Sequence, residues 1–214
     1  MFRDGFTIDG WSPERIEATV RRSRILGLLE SSDGTINGYA LYSVPTARLH
    51  SRSLMWEESI CVRKSMQGNG YAGAALTEAL AELHACDIGW VAGRTQNPIV
   101  MHRYSTLGTI YPFEVPYNSP RGRAVADFLQ ANINGVATAR FERQSGICRS
   151  VYRERILGDY PWNPQGHFES QLTSHGFHRE KGDAVAIVAE LRTAQPQPAR
   201  TVDYHANPAS APSL

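Results

Sequence analysis

The order of apolar and polar positions along the chain predicts alternating strands and helices. Segments 35–44 and 52–62 are rich in β-branched and aromatic residues and are separated by a proline-containing connection, which predicts an antiparallel pair of strands. Residues 71–85 place alanine and leucine at helical spacing and predict the clearest helix of the chain. A strand over 87–94 and a helix over 98–107 that begins at a proline are expected to follow.

Capping and turn residues extend this prediction towards both ends of the chain. Ser12 followed by Pro13 is typical of a helix start, and we expect this helix to continue to about Leu29. Near the other end, the strongly apolar run 184–191 follows a glycine turn and predicts a further strand. Strands and helices in this order indicate an α/β protein.

A glycine-rich segment between the second strand and the alanine-rich helix carries the most informative chemistry. Its glycines are Gly68, Gly70 and Gly73. Glycine lets the backbone turn tightly and approach a ligand, and the first N–H groups of a helix have no partner within that helix. Because these N–H groups lie at the positive end of the helix dipole, the segment predicts a phosphate-binding corner.

Two kinds of phosphate ligand fit this corner. The three glycines have the Gly-x-Gly-x-x-Gly spacing of a dinucleotide-binding loop, but in a Rossmann unit the turn follows its strand directly. Here residues 63–67 separate the strand from the first glycine, and the next strand ends at Arg94 instead of at an acidic residue. Since an arginine suits a 2′-phosphate, an NADP-dependent oxidoreductase stays open as an alternative.

The sequence Gln-x-x-Gly-x-Ala at 67–72 resembles the Q/R-x-x-G-x-G/A signature of the GNAT superfamily of acyl-CoA-dependent N-acyltransferases. Segment 56–62 resembles the strand before that signature, and 94–97 followed by Tyr104 resembles the later strand, asparagine and tyrosine. The resemblance covers about residues 34–108. It implies a mixed, mostly antiparallel central sheet flanked by helices, with acetyl-CoA as the co-substrate. No metal is expected, because Gly176 and Phe177 interrupt the helical spacing of His175 and His178 and no Cys or carboxylate cluster completes a site.

The resemblance also implies which residues bind coenzyme A. Backbone N–H groups of the loop and of the helix start would hold its pyrophosphate. The end of the preceding strand would pair with the pantetheine arm, and an N–H of Cys61 or Val62 would polarise the thioester carbonyl. Asn97 would hydrogen-bond the pantetheine or cap the next helix. The expected binding residues are Ile60, Cys61, Val62, Gln67, Gly68, Asn69, Gly70, Tyr71, Ala72, Gly73, Asn97 and Tyr104.

Acyl transfer to an amine requires a base for the amine and a proton for the departing thiolate. The resemblance implies a glutamate of the strand, Glu57 or Glu58, as the base. Neighbouring strand residues point to opposite faces, so we expect only one of them to face the site, and Glu57 is the better match. The resemblance implies Tyr104 as the acid, with His102 as a rival.

The resemblance and the composition together predict one domain over 1–193. Its core would be formed by about 12–110 and 178–193, and we interpret 111–177 as an insertion that covers or shapes an acceptor pocket, with packing alone as the alternative. A helix is expected over 122–133 within this insertion, and 147–156 is compatible with a strand or a helix. The Pro, Ala and Ser content of 194–214 predicts a disordered tail.

Charge and cysteine content restrict the partners. The 214-residue chain has a formal net charge of +1, so no overall field attracts nucleic acid, and nucleic acid is not an expected partner. Its three widely spaced cysteines predict neither a disulfide framework nor a zinc pair. Neither a signal peptide nor a membrane span is evident, which predicts a cytoplasmic protein without a membrane partner.

We therefore expect an acetyl-CoA-dependent N-acyltransferase that acts on a small-molecule amine by direct attack. The sequence leaves the acceptor open, and a homodimer is compatible with it. Besides the NADP-dependent oxidoreductase, two alternatives remain: a non-catalytic sensor that binds coenzyme A, and an acyltransferase that uses aminoacyl-tRNA as donor.

Overall fold

A computed structural model describes residues 12–152 and 162–192, which contain one eight-stranded sheet flanked by helices. The strands are β1 (Ile25–Glu30), β2 (Ile36–Ser43), β3 (Ser53–Val62), β4 (Ile88–Thr95), β5 (Gly108–Tyr111), β6 (Arg140–Glu142), β7 (Ile147–Arg149) and β8 (Ala184–Leu191). The helices are α1 (Pro13–Arg22), α2 (Tyr71–Glu82), α3 (Pro98–Leu107), α4 (Pro120–Asn132), α5 (Asn134–Ala137) and α6 (His167–Ser174).

The sheet is mixed and mostly antiparallel, which confirms the predicted fold class. Its strand order is β1-β2-β3-β4-β8-β7-β6, and β5 also pairs with β8. Among these pairings, β3 with β4 is parallel and the others are antiparallel. A parallel pair needs a crossover connection, and α2 lies in the connection between β3 and β4.

Strands β3 and β4 pair along only part of their lengths. Their pairing ends where Glu57 lies opposite Gly93, although β3 continues to Val62 and β4 continues to Thr95. Beyond this point β3 still pairs with β2, and β4 pairs with β8. The two strands therefore diverge at the end of the sheet that leads into the glycine-rich segment.

Each face of the sheet has its own buried core, because consecutive strand residues point to opposite faces. Met55 and Val91 belong to the core on the face covered by α2, α3 and α6. Trp56 and Trp90 belong to the core on the other face, which α4 covers with residues that include Leu129. One strand of alternating side chains thus supplies both cores.

The prediction of a helix from Ser12 to about Leu29 is correct for the first part of this range and wrong for the rest. Helix α1 begins at Pro13 with Ser12 as its N-cap but ends at Arg22. Residues 25–30 then form the edge strand β1, in which Leu26 and Leu28 are 51% and 52% exposed. This segment is a strand because its backbone pairs with β2. The helical spacing of apolar residues in a sequence gives no information about such pairing.

The segment 111–177 contributes to the sheet as well as covering it. Strand β7 pairs with β8, and β6 pairs with β7, so both extend the central sheet. The predicted helix over 122–133 is confirmed as α4. Residues 153–161 and the predicted tail over 194–214 lie outside the described residues. In the part of the chain that is described, no helix combines the length and apolar character required to cross a bilayer.

Asp183, next to β8, joins several backbone segments. Its carboxylate accepts hydrogen bonds from the N–H groups of Ser150 and His178 and pairs with Arg149 at 2.7 Å. Burial alone raises the pKa of Asp183, but these donors outweigh burial and hold the pKa below its ordinary value of 3.8. The charged carboxylate therefore stabilises the folded chain.

We predict that Asp183→Asn lowers the free energy of unfolding by about 1–3 kcal/mol near pH 7. Because the folded-state pKa of Asp183 is depressed, its contribution is present above the unfolded-state pKa and is lost as pH falls through the folded-state pKa. The variant should accordingly lose less stability than the wild type between neutral pH and about pH 3. Urea denaturation at both pH values measures this, with Asp127→Asn on the exposed face of α4 as the control. Equal pH dependence of wild type and D183N would contradict the assignment.

Candidate active site

The glycine-rich segment forms an exposed turn between the end of β3 and the start of α2. Gly68 and Gly70 have φ angles of +84° and +80°, in the left-handed region that favours glycine. A Cβ at either position would meet no atom within 4 Å, so conformation rather than crowding requires these glycines. Gly70 is the N-cap of α2 and supplies no side-chain hydrogen bond. The turn that leads into α2 is therefore open to solvent at both glycines.

Polar side chains of the same turn fix its backbone. The Gln67 side chain donates from Nε2 to the carbonyl oxygen of Val62 at 2.9 Å, which ties the turn to the end of β3. The Asn69 side chain donates from Nδ2 to the carbonyl oxygen of Met66 at 3.2 Å. These two side-chain hydrogen bonds hold the loop in place.

Arg103 connects β3 to the start of α2 through a buried ion pair and a hydrogen bond to the backbone. Nη2 of Arg103, on α3, lies 2.5 Å from a carboxylate oxygen of Glu57, and their side chains are only 13% and 8% exposed. Nη1 of Arg103 also donates to the carbonyl oxygen of Ala72 at 3.3 Å, in the first turn of α2. Arg103 thus fixes the position of the glycine turn relative to the point where β3 and β4 diverge.

Tyr104 is fully buried beside this ion pair. A Cβ built on Gly93 would lie 2.6 Å from its hydroxyl, so the glycine makes room for the tyrosine against β4. The Tyr104 hydroxyl is buried and has no hydrogen-bond partner, and the same holds for the hydroxyl of Tyr42 on β2. An unsatisfied buried hydroxyl costs free energy, and a ligand atom that accepts from it would recover that cost.

Both phenols keep their protons at neutral pH. Burial, and next the charge of Glu57, raise the pKa of Tyr104 well above its ordinary value of 10.0. The same two causes, in the same order, raise the pKa of Tyr42. Each hydroxyl can therefore donate a hydrogen bond or a proton. Sequence reasoning missed Tyr42, because only its pairing opposite Glu57 in the sheet marks it as a site residue.

A cleft of about 520 Å³ opens on the other face of the sheet, next to the point where β3 and β4 diverge. Helix α1, the end of β2 and residues 132–138 of the predicted insertion contribute to its walls. Arg94 also lines it, because Arg94 follows Gly93 on β4 and so points away from Tyr104. The polar and charged lining includes Arg15, Arg22, Ser43, Glu58, Arg94 and Tyr152.

Glu58 enters the cleft at a β-bulge. Tyr42 pairs with Glu57 and Leu41 pairs with Ser59, which leaves Glu58 as the extra residue of β3. Bulges change the direction in which a side chain points. Glu58 accepts a hydrogen bond from the Ser43 hydroxyl at 2.9 Å and pairs with Arg22 at 3.1 Å. Contrary to the expectation that only one glutamate faces the site, both Glu57 and Glu58 line the cleft.

Several other predicted site residues have structural roles. Asn97 is the N-cap of α3 and accepts from the N–H of Ile99 at 2.9 Å. His102, the rival acid, is exposed and packs edge-on against Phe168 of α6. Cys61 is a buried cysteine at the end of β3. Within 12–152 and 162–192, no group of three or more His, Cys, Asp or Glu side chains is arranged to hold a metal ion.

Residues 4–109, which include the glycine turn and both diverging strands, match the sequence model of the Acetyltransferase (GNAT) family. This part of the chain accordingly has the sequence of a GNAT acetyltransferase domain, as the signature at 67–72 implied. The match supports an acyl-CoA-dependent N-acetyltransferase in general terms. No curated protein sequence matches the chain significantly.

Three of the solved structures that resemble this chain are named acetyltransferases. An IAA acetyltransferase from Bacillus cereus ATCC 14579 is 15% identical, with 84% of this chain and 85% of that chain covered and a TM-score of 0.47. A ribosomal-protein-S18-alanine N-acetyltransferase from Escherichia coli is 13% identical, with 92% and 87% covered and a TM-score of 0.43. A GNAT family acetyltransferase from Elizabethkingia anophelis is 13% identical, with 84% of each chain covered and a TM-score of 0.42.

The buried pair between Glu57 and Arg103 gives a stability prediction. Arg103→Met should lower the free energy of unfolding by about 3–5 kcal/mol, because it leaves the Glu57 carboxylate buried without its cation. The double variant Glu57→Gln with Arg103→Met removes both charges and should recover a large part of this loss. Urea denaturation of the three proteins near pH 7 measures the difference. If the double variant were no more stable than R103M, the ion pair would not account for the effect.

Proposed function

We propose that this protein transfers the acetyl group of acetyl-CoA to the amine of a small molecule by direct attack. The observation that carries this proposal is the divergence of β3 and β4 beyond Glu57 and Gly93, next to an open glycine turn at the start of a helix. The divergence gives an extended ligand a strand edge to pair with, and the turn gives a phosphate N–H donors at one end of that edge.

The residues at this corner fit coenzyme A. The N–H groups around Gly68 and Gly70 and at the start of α2 would hold the pyrophosphate, and the backbone of residues 60–62 would pair with the pantetheine arm. The thioester would then lie between β3 and β4. The N–H of Arg63 donates to the carbonyl oxygen of Asn37 on β2, so the N–H of Val62 points to the opposite side and would donate to the thioester carbonyl oxygen. The NADP-dependent alternative has less support, since Arg94 lines the cleft on the face away from Tyr104.

In the reaction, the acceptor nitrogen attacks the thioester carbonyl carbon. A base first removes a proton from the ammonium group, a C–N bond forms, and negative charge develops on the carbonyl oxygen. The C–S bond then breaks, its electron pair goes to sulfur, and an acid protonates the thiolate. The nitrogen loses its second proton to the base or to solvent, which leaves a neutral amide. The enzyme forms no covalent intermediate in this scheme, so Cys61 needs no role as a nucleophile.

We assign the base to Glu58, although strand position alone favoured Glu57. Glu58 lies in the cleft on the bulge of β3, where an acceptor amine can reach it. Glu57 is held by Arg103, which also contacts the start of α2. Glu57 therefore acts as a positioning residue that holds the glycine turn and the cleft in fixed positions relative to each other.

We assign the acid to Tyr104, as the resemblance implied. Its hydroxyl keeps its proton because burial and the charge of Glu57 raise its pKa, and this proton has no acceptor among the described residues. A sulfur atom at the strand divergence would supply that acceptor. The hydroxyl of Tyr42 is similarly available to hydrogen-bond the coenzyme.

The size of the cleft supports a small-molecule acceptor. Its volume of about 520 Å³ is within the range of small-molecule sites. With a formal net charge of +1, the chain has no general attraction for tRNA, so an aminoacyl-tRNA donor has less support. A binding module without turnover would not need an acid and a base on either side of the strand divergence.

Acetyl-CoA binding is predicted to depend on the electrostatics of the glycine turn. Asparagine and aspartate both tolerate the φ angle of Gly70, but only Gly70→Asp brings a negative charge to the phosphate site. We expect G70D to weaken acetyl-CoA binding by about tenfold or more relative to G70N. Isothermal titration calorimetry measures both, with Glu82→Gln, an exposed residue at the other end of α2, as a tolerated control. Equal affinities for G70D and G70N would remove the phosphate assignment.

The catalytic assignments predict a separation of turnover from binding. Glu58→Gln and Tyr104→Phe should each lower kcat by about 100-fold or more while acetyl-CoA affinity changes little, because each removes a proton-transfer group. Release of the coenzyme A thiol with a panel of amines measures turnover. Tyr104→Phe should also fold at least as stably as the wild type, since it removes an unsatisfied buried hydroxyl. Unchanged kcat in either variant would exclude that residue from its role.

A further inference from the structure

Arg94 has not been used in the reaction described above, yet it lies beside the proposed base. Gly93 is the last residue of β4 to pair with β3, opposite Glu57, and Arg94 and Glu58 each follow one of these two residues. Both side chains line the same cleft. Since neighbouring strands are about 4.8 Å apart where they pair, a small molecule can reach both groups at once.

The guanidinium of Arg94 is held in place by neutral groups. Its Nη1 donates to the carbonyl oxygen of Gly135, and its central carbon lies 5.4 Å from the centre of the Tyr152 ring. Among the residues that the structure describes, no carboxylate forms an ion pair with it, in contrast to Arg22 and Arg103. Arg94 is thus a half-buried, oriented cation in the cleft that lacks an anion.

The hydrogen-bonding edge of Arg94 is also incompletely used. Nη1 donates to Gly135, whereas Nε is buried and has no hydrogen-bond partner among residues 12–152 and 162–192. Nε and Nη2 form the edge of a guanidinium whose two N–H groups run parallel and bind the two oxygens of one carboxylate. A bound carboxylate would satisfy Nε, which otherwise remains an unpaired buried donor.

Other charged residues of the cleft also favour a bound anion. Arg15 lines the cleft with Arg94 and Arg22. Burial, and next the positive charge of Arg94, lower the pKa of Arg15. Glu58 already pairs with Arg22, so it does not neutralise Arg94. An anion bound at Arg94 would therefore relieve the repulsion between cations in this cleft.

We propose that the acceptor is an amine that also carries a carboxylate, as an amino acid does, and that Arg94 binds this carboxylate while Glu58 accepts the proton of the amine. This inference rests on the proposed function and specifies its substrate class. Arg94 is then a binding residue that sets specificity, and the neutral contacts with Gly135 and Tyr152 orient it before the substrate arrives.

The test compares amino acids with their carboxamides and with the corresponding decarboxylated amines as acceptors of the acetyl group. We expect the free acids to have kcat/KM values about 100-fold above those of the uncharged analogues. Arg94→Met should remove most of this preference and leave the uncharged amines unaffected, whereas Arg94→Lys should retain part of it, since lysine keeps the charge but not the planar fork. Arg123→Met, an exposed arginine that donates to a backbone carbonyl outside the cleft, is the matched control.

The outcomes separate this inference from the proposed function. Acetylation of amines with no preference for a carboxylate would overturn the inference and leave the proposed function intact. An equal loss of activity towards acids and amides in R94M would show that Arg94 only supports the fold. If no amine is acetylated, the proposed function fails, and calorimetric titration of the coenzyme A complex with N-acetyl amino acids and N-acetyl amino acid amides still decides the inference. Binding of the acids alone, lost in R94M, would support it, and equal binding of both would overturn it.

Discussion

The separation of β3 from β4 beyond Glu57 and Gly93 is the constraint on which the candidate site depends. A sheet tends to pair every backbone group, so two neighbouring strands diverge only where something else occupies the space between them. Here Tyr104 lies against the glycine of β4, and Arg103 holds Glu57 on β3. The packing of one helix, α3, against two strands thereby keeps a binding slot open in the sheet.

The two faces of the sheet contribute different residues to the candidate site at this divergence. On one face, α2 and α3 carry the glycine turn and the buried hydroxyl of Tyr104, and β2 carries the buried hydroxyl of Tyr42. On the other face, the bulge at Glu58 and the side chain of Arg94 line a cleft closed by α1 and by residues 132–138. A coenzyme and an acceptor can therefore approach one carbonyl carbon from opposite faces.

Sequence reasoning was most successful where local signals and tertiary structure agree. The glycine turn, the cap of α3 at Asn97 and the strand over 184–191 each follow from residue chemistry within a few positions, and each is confirmed. It was wrong at β1, where pairing with β2 overrides a helical pattern. It also expected only one glutamate to face the site, because a bulge of one residue cannot be read from alternation.

The sequence by itself determined the mixed α/β class, the family resemblance and the glycine turn at the start of α2, because glycine conformations and helix starts depend on nearby residues. Only the tertiary structure decided that Glu57 pairs with Arg103, that Glu58 lies in the cleft and that Arg94 lacks an anionic partner among the described residues. These contacts join residues that are far apart in the chain, and their energies depend on burial and distance. Neither quantity exists until the strands and helices have packed together.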